Sequence, residues 1–408
     1  MRNLITGVAF AIALAVTGDA GAQFATFTPW SLASNLESVP GTSGDLNTPY
    51  VDGCPFTAPD GRSLYIASNR PGGLGGIDIW VARREHRSAS WGAPENLGEP
   101  VNSTADDFCP SPTRGRLFFF VSTRAGGCGG ADIYQTRRER HGWAAPRNLG
   151  CRVNSAAGEA GPVYLEKRHA RLLYFSSMRP GGFAPESGGL PDADIYVSAR
   201  RKEGSFSSPE LVPRLNTTAN DARPHLRADG LEIVFDSDRS GTLGGPDIWS
   251  ASRASLRNPW SVPVNLGPNV NSAAAETRPS FSGHGRTLYF GSTRPGSEPD
   301  PAGAPSQDLY VATRERVASG AVNCAEPPYD NVISGTLNRD LEISLYGHRV
   351  CRHRDGSGRC HRSEHGSSLP DEAALRRARP AGRHDHGRRK RDGRRLRDGL
   401  ARGRRHRE

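Results

Sequence analysis

The sequence predicts an all-β protein, a β-propeller of four-stranded antiparallel blades, and three observations carry that expectation. One motif recurs five times in register, and each copy holds enough short strand signals for one four-stranded sheet. The composition is rich in turn formers, with 48 glycines and 31 prolines in 408 residues, and long amphipathic helical patterns are missing.

Each copy opens on an asparagine: Asn47, Asn102, Asn154, Asn216 and Asn271. Five residues later stands an acid (Asp52, Asp107, Glu159, Asp221, Glu276), and three after that a proline (Pro55, Pro110, Pro162, Pro224, Pro279). The eight-residue spacing from Asn to Pro holds in every copy. In the first copy Pro59-Asp60-Gly61 marks a tight turn between two short strands. Residues 64–67 are an apolar run of buried-strand length, ending in Ser68-Asn69-Arg70. Residues 71–76 reverse the chain with glycines that tolerate positive φ. Residues 77–82 form a third strand carrying Asp78-Ile79-Trp80, and the connector 91–97 supplies a fourth. The later second strands are 117–121, 172–175, 233–235 and 288–290, and the later third strands open at Asp132, Asp194, Asp247 and Asp308. Trp143, Phe206 and Trp260 stand where Trp91 does, and Trp30 does so before the first copy.

Four antiparallel strands repeated around an axis make a propeller. The copies lie more than 50 residues apart, longer than an ordinary blade of ~40–45. The extra length falls in the glycine-rich turns and the connectors. Insertions at 183–192 and 297–307 lengthen the same turn and so decorate one face. Five blades are expected, with residues 27–47 supplying the strand that closes the last; six is the alternative, if 321–347 form a degenerate blade.

The run Pro-x-x-x-Pro-Asp-Gly-x-x-Leu-Tyr-Ile-Ala-Ser-x-Arg, followed by Gly-Gly-x-Asp-Ile-Trp, resembles the WD40-like PD40 repeat of exported bacterial propellers, typified by the propeller of TolB. The resemblance covers roughly residues 27–317 and implies an exported propeller of the bacterial envelope. The α/β domain that precedes the TolB propeller has no counterpart here.

The ends predict the compartment. Arg2, an apolar stretch from Leu4 to Val16 and Ala20-Gly21-Ala22 read as a secretory signal over 1–22, with 23–320 the propeller and 321–408 a tail. The stretch is short of the ~20 residues of a transmembrane helix, and no cysteine near the cut offers a lipid anchor. A periplasmic or secreted protein follows. The net charge of +10 is concentrated in the tail: residues 351–408 hold 19 Lys and Arg against 8 Asp and Glu, leaving residues 1–350 close to neutral. That tail reads as low-complexity and disordered, suited to an anionic envelope polymer rather than to nucleic acid; translation out of frame is an alternative source of the same composition.

Export permits disulfides. Cys54 and Cys109 occupy the same place in consecutive repeats, and Cys128 and Cys151 flank the next connector, so Cys54–Cys109 and Cys128–Cys151 are the expected pairs. No cysteine or histidine spacing reads as a zinc site.

Two sets of residues qualify as sites. The five acids Asp52, Asp107, Glu159, Asp221 and Glu276 precede the innermost strands, so they are expected to ring the channel mouth and to hold a cation, for which calcium is the hard-ion choice, or a basic ligand. The competing reading pairs each acid with an arginine in its own blade. Arg70 and Asp78, Arg124 and Asp132, Arg179 and Asp194, Arg239 and Asp247, and Arg294 and Asp308 flank one turn and are expected to clamp it structurally. Phe108, Arg223 and Arg278 break the repeat near the channel. No nucleophile elbow, zinc-protease motif or phosphate loop is present, and acids made equivalent by repetition suit separate acid and base roles poorly. The expectation is therefore an exported non-catalytic binding module for an envelope protein, peptide or glycan. A carbohydrate-active or lactone-type hydrolase using channel carboxylates is the first alternative, and a structural envelope protein the second.

Overall fold

In a computed structural model, the described residues are 27–183 and 192–317, with the backbone of 333–336, 342–346 and 349–353. The expected signal segment and most of the tail lie outside them. Five four-stranded antiparallel blades make up a β-propeller. The first runs from the axis outward as Asp52–Thr57, Ser63–Ser68, Asp78–Arg83 and Glu95–Asn96. The innermost strands of the next four are Asp107–Pro112, Glu159–Lys167, Asp221–Leu226 and Glu276–Phe281. In the second blade Gly142–Trp143 adds a short pairing to the third strand.

The ring closes as the sequence suggests. Ser34–Asn35 pairs antiparallel with Asp308–Thr313 and becomes the outermost strand of the fifth blade. Among the described residues five blades are built, and no sixth is. Beyond the propeller, Ile333–Thr336, Glu342–Tyr346 and Arg349–His353 pair as a separate three-stranded antiparallel sheet. Among the described residues no helix is long and apolar enough to cross a membrane.

The core lies within and between the blades. The second strands are buried along nearly their whole length, as in Leu117–Ser122, where Phe118, Phe119 and Phe120 are all enclosed. Burying one such side chain stabilises by about 1.5–3 kcal/mol. The recurring asparagine latches blade to blade. Asn102 Nδ2 donates to the Ile79 carbonyl at 2.9 Å, and its Oδ1 accepts from the Ile79 amide at 2.9 Å. Asn154, Asn216 and Asn271 do the same to Ile133, Ile195 and Ile248. Asn47 does it to Leu309 across the closure. Losing the side chain would leave two buried backbone groups unmatched, at about 1–3 kcal/mol each. The connector aromatics form a second repeated contact: Arg84 stacks on Trp91 at 3.9 Å, Arg253 on Trp260 at 4.1 Å and Arg314 on Trp30 at 4.3 Å.

Candidate functional site

The five repeated acids are fully buried, and each is held inside its own blade. Asp52 receives Arg70 at 2.5 Å, Asp107 receives Arg124 at 2.6 Å, Glu159 receives Arg179 at 3.2 Å and Glu276 receives Arg294 at 3.0 Å; Asp221 pairs with Arg239. Each acid also accepts from the backbone amide and hydroxyl of the residue after the latch asparagine, as Asp107 does from Ser103 at 2.6 and 2.7 Å. The same arginine donates to a carbonyl just before that asparagine, as Arg294 does to Val270 at 2.6 Å. The expected carboxylate ring at the channel mouth is therefore corrected to five separate ion pairs that pin the connector to the blade. Burial raises the Asp52 carboxyl above its ordinary value, while Arg70 opposes that rise.

The expected clamps are corrected by the same geometry. Arg70, Arg124, Arg179, Arg239 and Arg294 do not bond Asp78, Asp132, Asp194, Asp247 and Asp308; they turn to the buried acids. The aspartates instead hold the glycine-rich turns through their Oδ2 atoms. Asp247 accepts from the Leu243 amide at 2.8 Å and from Asn265 at 2.6 Å, and Asp308 accepts from the Glu298 amide at 3.0 Å. The second oxygen of all five has no hydrogen-bond partner among the described residues. Burial pushes Asp194 up to about 6 and Asp308 up to about 7, against a backbone hydrogen bond in each case.

Both expected disulfides are formed. Cys54–Cys109 bridges the innermost strands of the first two blades, and Cys128–Cys151 ties a glycine-rich turn to the following connector.

The axis is where the copies stop matching. Every innermost strand carries a bulge, seen as a register shift after Gly53, Phe108, Ala160, Ala222 and Thr277. The residue that follows each of these lies at positive φ: Cys54, Cys109, Gly161, Arg223 and Arg278 at 47, 47, 56, 50 and 55°. Left-handed backbone is unfavourable for a residue with a side chain, and a bulge re-aims what it carries. The consequence is a waist formed by one disulfide, one glycine and two arginines. Gly161 is required there, since a Cβ would stand 2.6 Å from the Arg223 Cα.

Two of the repeat-breaking residues meet at this waist. The Arg223 Nε donates to Asp236 at 2.9 and 3.1 Å, and the Arg278 amide donates to the same carboxylate at 2.9 Å. The Arg278 guanidinium bonds Gln307, whose Nε2 donates to Thr277 at 2.5 Å. Phe108 is partly buried in the hydrophobic cluster of the first three blades. Below the arginines, Phe56 and His225 meet across the axis with ring centroids 4.4 Å apart. Asp236, Gln307 and His225 were not legible as site residues by motif; their signal is departure from the repeat, since Asp236 stands where other copies have Ala67, Val121, Ser176 and Gly291. Of the two inserted turns, 184–191 lies outside the described residues. The other places Ser306 and Gln307 against the first blade, where the Gln307 carbonyl accepts from the Asp52 amide at 2.8 Å.

A concavity lies at the far end, among the turns that join the innermost strands of the second to fifth blades to their second strands. It measures about 550 Å³ and is lined by Arg114, Lys167, Arg227, Arg286 and Arg316, with Asp229 the one acid. Arg227 is spoken for by Asp229 and Glu232, and Glu232 is gripped from its other side by Arg314 at 2.6 Å. Among the described residues no ion pair neutralises Arg114, Lys167 or Arg316. Burial alone would raise Asp229, but hydrogen bonds from Arg227 and the Leu231 amide, with the Arg227 and Lys167 charges, hold it below its ordinary value.

No family model matches the chain, and no curated protein matches it. Among solved structures it is similar to the catalytic domain of a GH62 α-L-arabinofuranosidase from Coprinopsis cinerea, with 16% identity over 71% of this chain and 98% of that one, at a TM-score of 0.45. An α-L-arabinofuranosidase from Podospora anserina matches with 13% identity over 71% and 98%, at 0.43. A GH43 endo-arabinanase from Bacillus licheniformis matches with 13% identity over 67% and 95%, at 0.42. The expectation of a non-catalytic binding module is not what these neighbours carry: by name they are sugar-cleaving enzymes, the class of the carbohydrate-hydrolase alternative.

Proposed function

We propose that the protein is an exported, carbohydrate-active propeller that hydrolyses an anionic glycan entering at the turn-end concavity. The observation that carries this reading is the charge of that surface: five cations against one acid around about 550 Å³. Each exposed pairing of such a cation with a ligand carboxylate or sulfate contributes little, about 0.2–1 kcal/mol. Cations from four blades can engage successive charges of one chain, so a polymer gains where a single sugar does not.

The buried acids are unavailable for catalysis, which moves the chemistry away from the channel carboxylates. Asp229 is the carboxylate that lines the concavity, and its lowered proton affinity suits a base or nucleophile rather than a general acid. Glu232 behind it is locked between Arg227 and Arg314. Two disulfides support export, and the Asn–acid–Pro and Ser-x-Arg grammar supports a PD40-type repeat.

The test is release of reducing ends from a panel of uronate-containing and sulfated polysaccharides, beside neutral arabinan and xylan. Release from an anionic member, at least 10-fold slower in Asp229→Asn and weakened by salt in wild type, is the expected result. Cleavage of the neutral polymers alone, or of none, would sink the proposal.

A further inference from the structure

We infer that the channel waist is a binding site for one small monatomic anion, of chloride or bromide size. The waist offers about 30 Å³ to water-sized species, on the scale of a small monatomic ion rather than of a sugar. Arg223, His225, Arg278 and Ser280 all line it.

Three features of these side chains converge. His225 is buried, and its Nδ1 accepts from the Phe281 amide at 3.2 Å. A backbone N–H can only donate, so in the neutral ring the proton sits on Nε2. That Nε2–H is a buried donor with no acceptor among the described residues. The Ser280 hydroxyl, also buried, has no partner either. Buried polar groups are nearly always matched, so a species that accepts is called for.

Charge selects among acceptors. Two guanidinium groups stand at the waist, and the one carboxylate bonded there, Asp236, takes the Arg223 guanidinium and only the backbone amide of Arg278. Arg223 forms the ion pair, while Arg278 finds neutral Gln307 and Thr277. One positive charge is left over in a confined space, where an unpaired ion is costly. Burial, followed by the charge of Arg223, lowers Arg278 to about 10, and burial lowers His225 to about 3. Both shifts follow first from burial, and Asp236 opposes the fall at Arg278 without cancelling it. A cation fits none of this, because the imidazole presents N–H rather than a lone pair and the arginines repel it. The waist is separate from the turn-end concavity, so this site holds whether or not the glycan reading does.

The test uses crystals of the full chain grown in sodium bromide, with data collected at the bromine edge. The expected result is an anomalous peak at the waist within hydrogen-bond reach of His225 Nε2. A water there, or empty density, without anomalous signal overturns the inference. A solution measurement stands beside it. Melting in chloride is compared with melting in gluconate, an anion too large to enter, at equal ionic strength. Wild type is expected to melt about 4 °C higher in saturating chloride, and His225→Phe, which keeps the packing and removes the donor, to lose that difference. Equal melting of wild type in both salts also overturns it. If His225→Phe fails to fold, the bromide experiment on wild type decides.

Discussion

The five acid–arginine pairs and the five waist residues lie only two residues apart along the innermost strands, yet they behave in opposite ways. At the first position all copies keep one chemistry: a buried carboxylate, an arginine from Ser-x-Arg and a hydroxyl after the asparagine. At the second, the copies read Cys, Cys, Gly, Arg and Arg while sharing one strained backbone conformation. A feature needed to build a blade has to recur in every blade. A feature that acts once, on the shared axis, is free to differ between copies. Repetition therefore marks the scaffold, and departure from it marks the places where a propeller can do something.

The largest effect should come from breaking the scaffold side of this comparison. Asp221→Ala leaves the Arg239 guanidinium without its carboxylate in a buried setting, with an expected loss of about 3–5 kcal/mol in denaturant unfolding. Asp229→Ala, at an exposed turn in the same blade, should stay within about 1 kcal/mol. Equal losses would mean that the buried pairs are not what the repeat preserves.

The two disulfides sharpen the contrast further. Cys54–Cys109 closes a loop with a separation of 55 residues at the axis, and Cys128–Cys151 one of 23 at the periphery. Removing either by a double alanine substitution should cost about 2–5 kcal/mol, with the axial bridge worth about 0.8 kcal/mol more on loop length alone. The comparison of the two double variants by urea unfolding checks it. A larger loss at the peripheral bridge would show that connector geometry outweighs chain entropy.

Much of this architecture was legible in the sequence, because the information is repeated. The eight-residue register from Asn47 to Pro55 and its four later copies favoured five blades over six and gave the order of strands and the closing role of the segment before Asn47. The Cys54–Cys109 pair followed from position in the repeat, and Cys128–Cys151 was offered by a glycine-rich turn and the connector after it. What failed was pairing in space. Arg70 and Asp78 flank one turn, and sequence proximity made them look like partners. In the folded blade Ser68 holds Arg70 by its Nε at 3.0 Å and turns it inward to Asp52, while Asp78 is occupied by the turn amide and Asn96. The turn-end concavity was equally hidden. Its cations, Arg114, Lys167 and Arg286, come from separate blades, and only closure of the ring brings them to one surface. His225 and Phe56 touch across the axis from blades that are not neighbours, a contact that no spacing rule reaches.

The smallest expected effect tells the two regions apart by pH. Asp308 and Asp194 belong to the repeated set, and burial raises them to about 7 and about 6 from an ordinary 3.8. Between those values the folded state keeps a proton that the unfolded chain has released, so their contribution weakens as pH rises from about 4 to about 7. His225 belongs to the axis, and burial lowers it to about 3 from an ordinary 6.5. Here the unfolded chain binds the proton that the folded state refuses, so stability falls as pH drops below 6.5. The two regions should thus impose opposite slopes on one melting profile. Measured across pH 4.5 to 7.5, Asp308→Asn should lose part of the decline toward neutral pH, and His225→Phe part of the decline toward acid. Parallel profiles for wild type and both variants would show that neither group holds its proton differently in the folded chain.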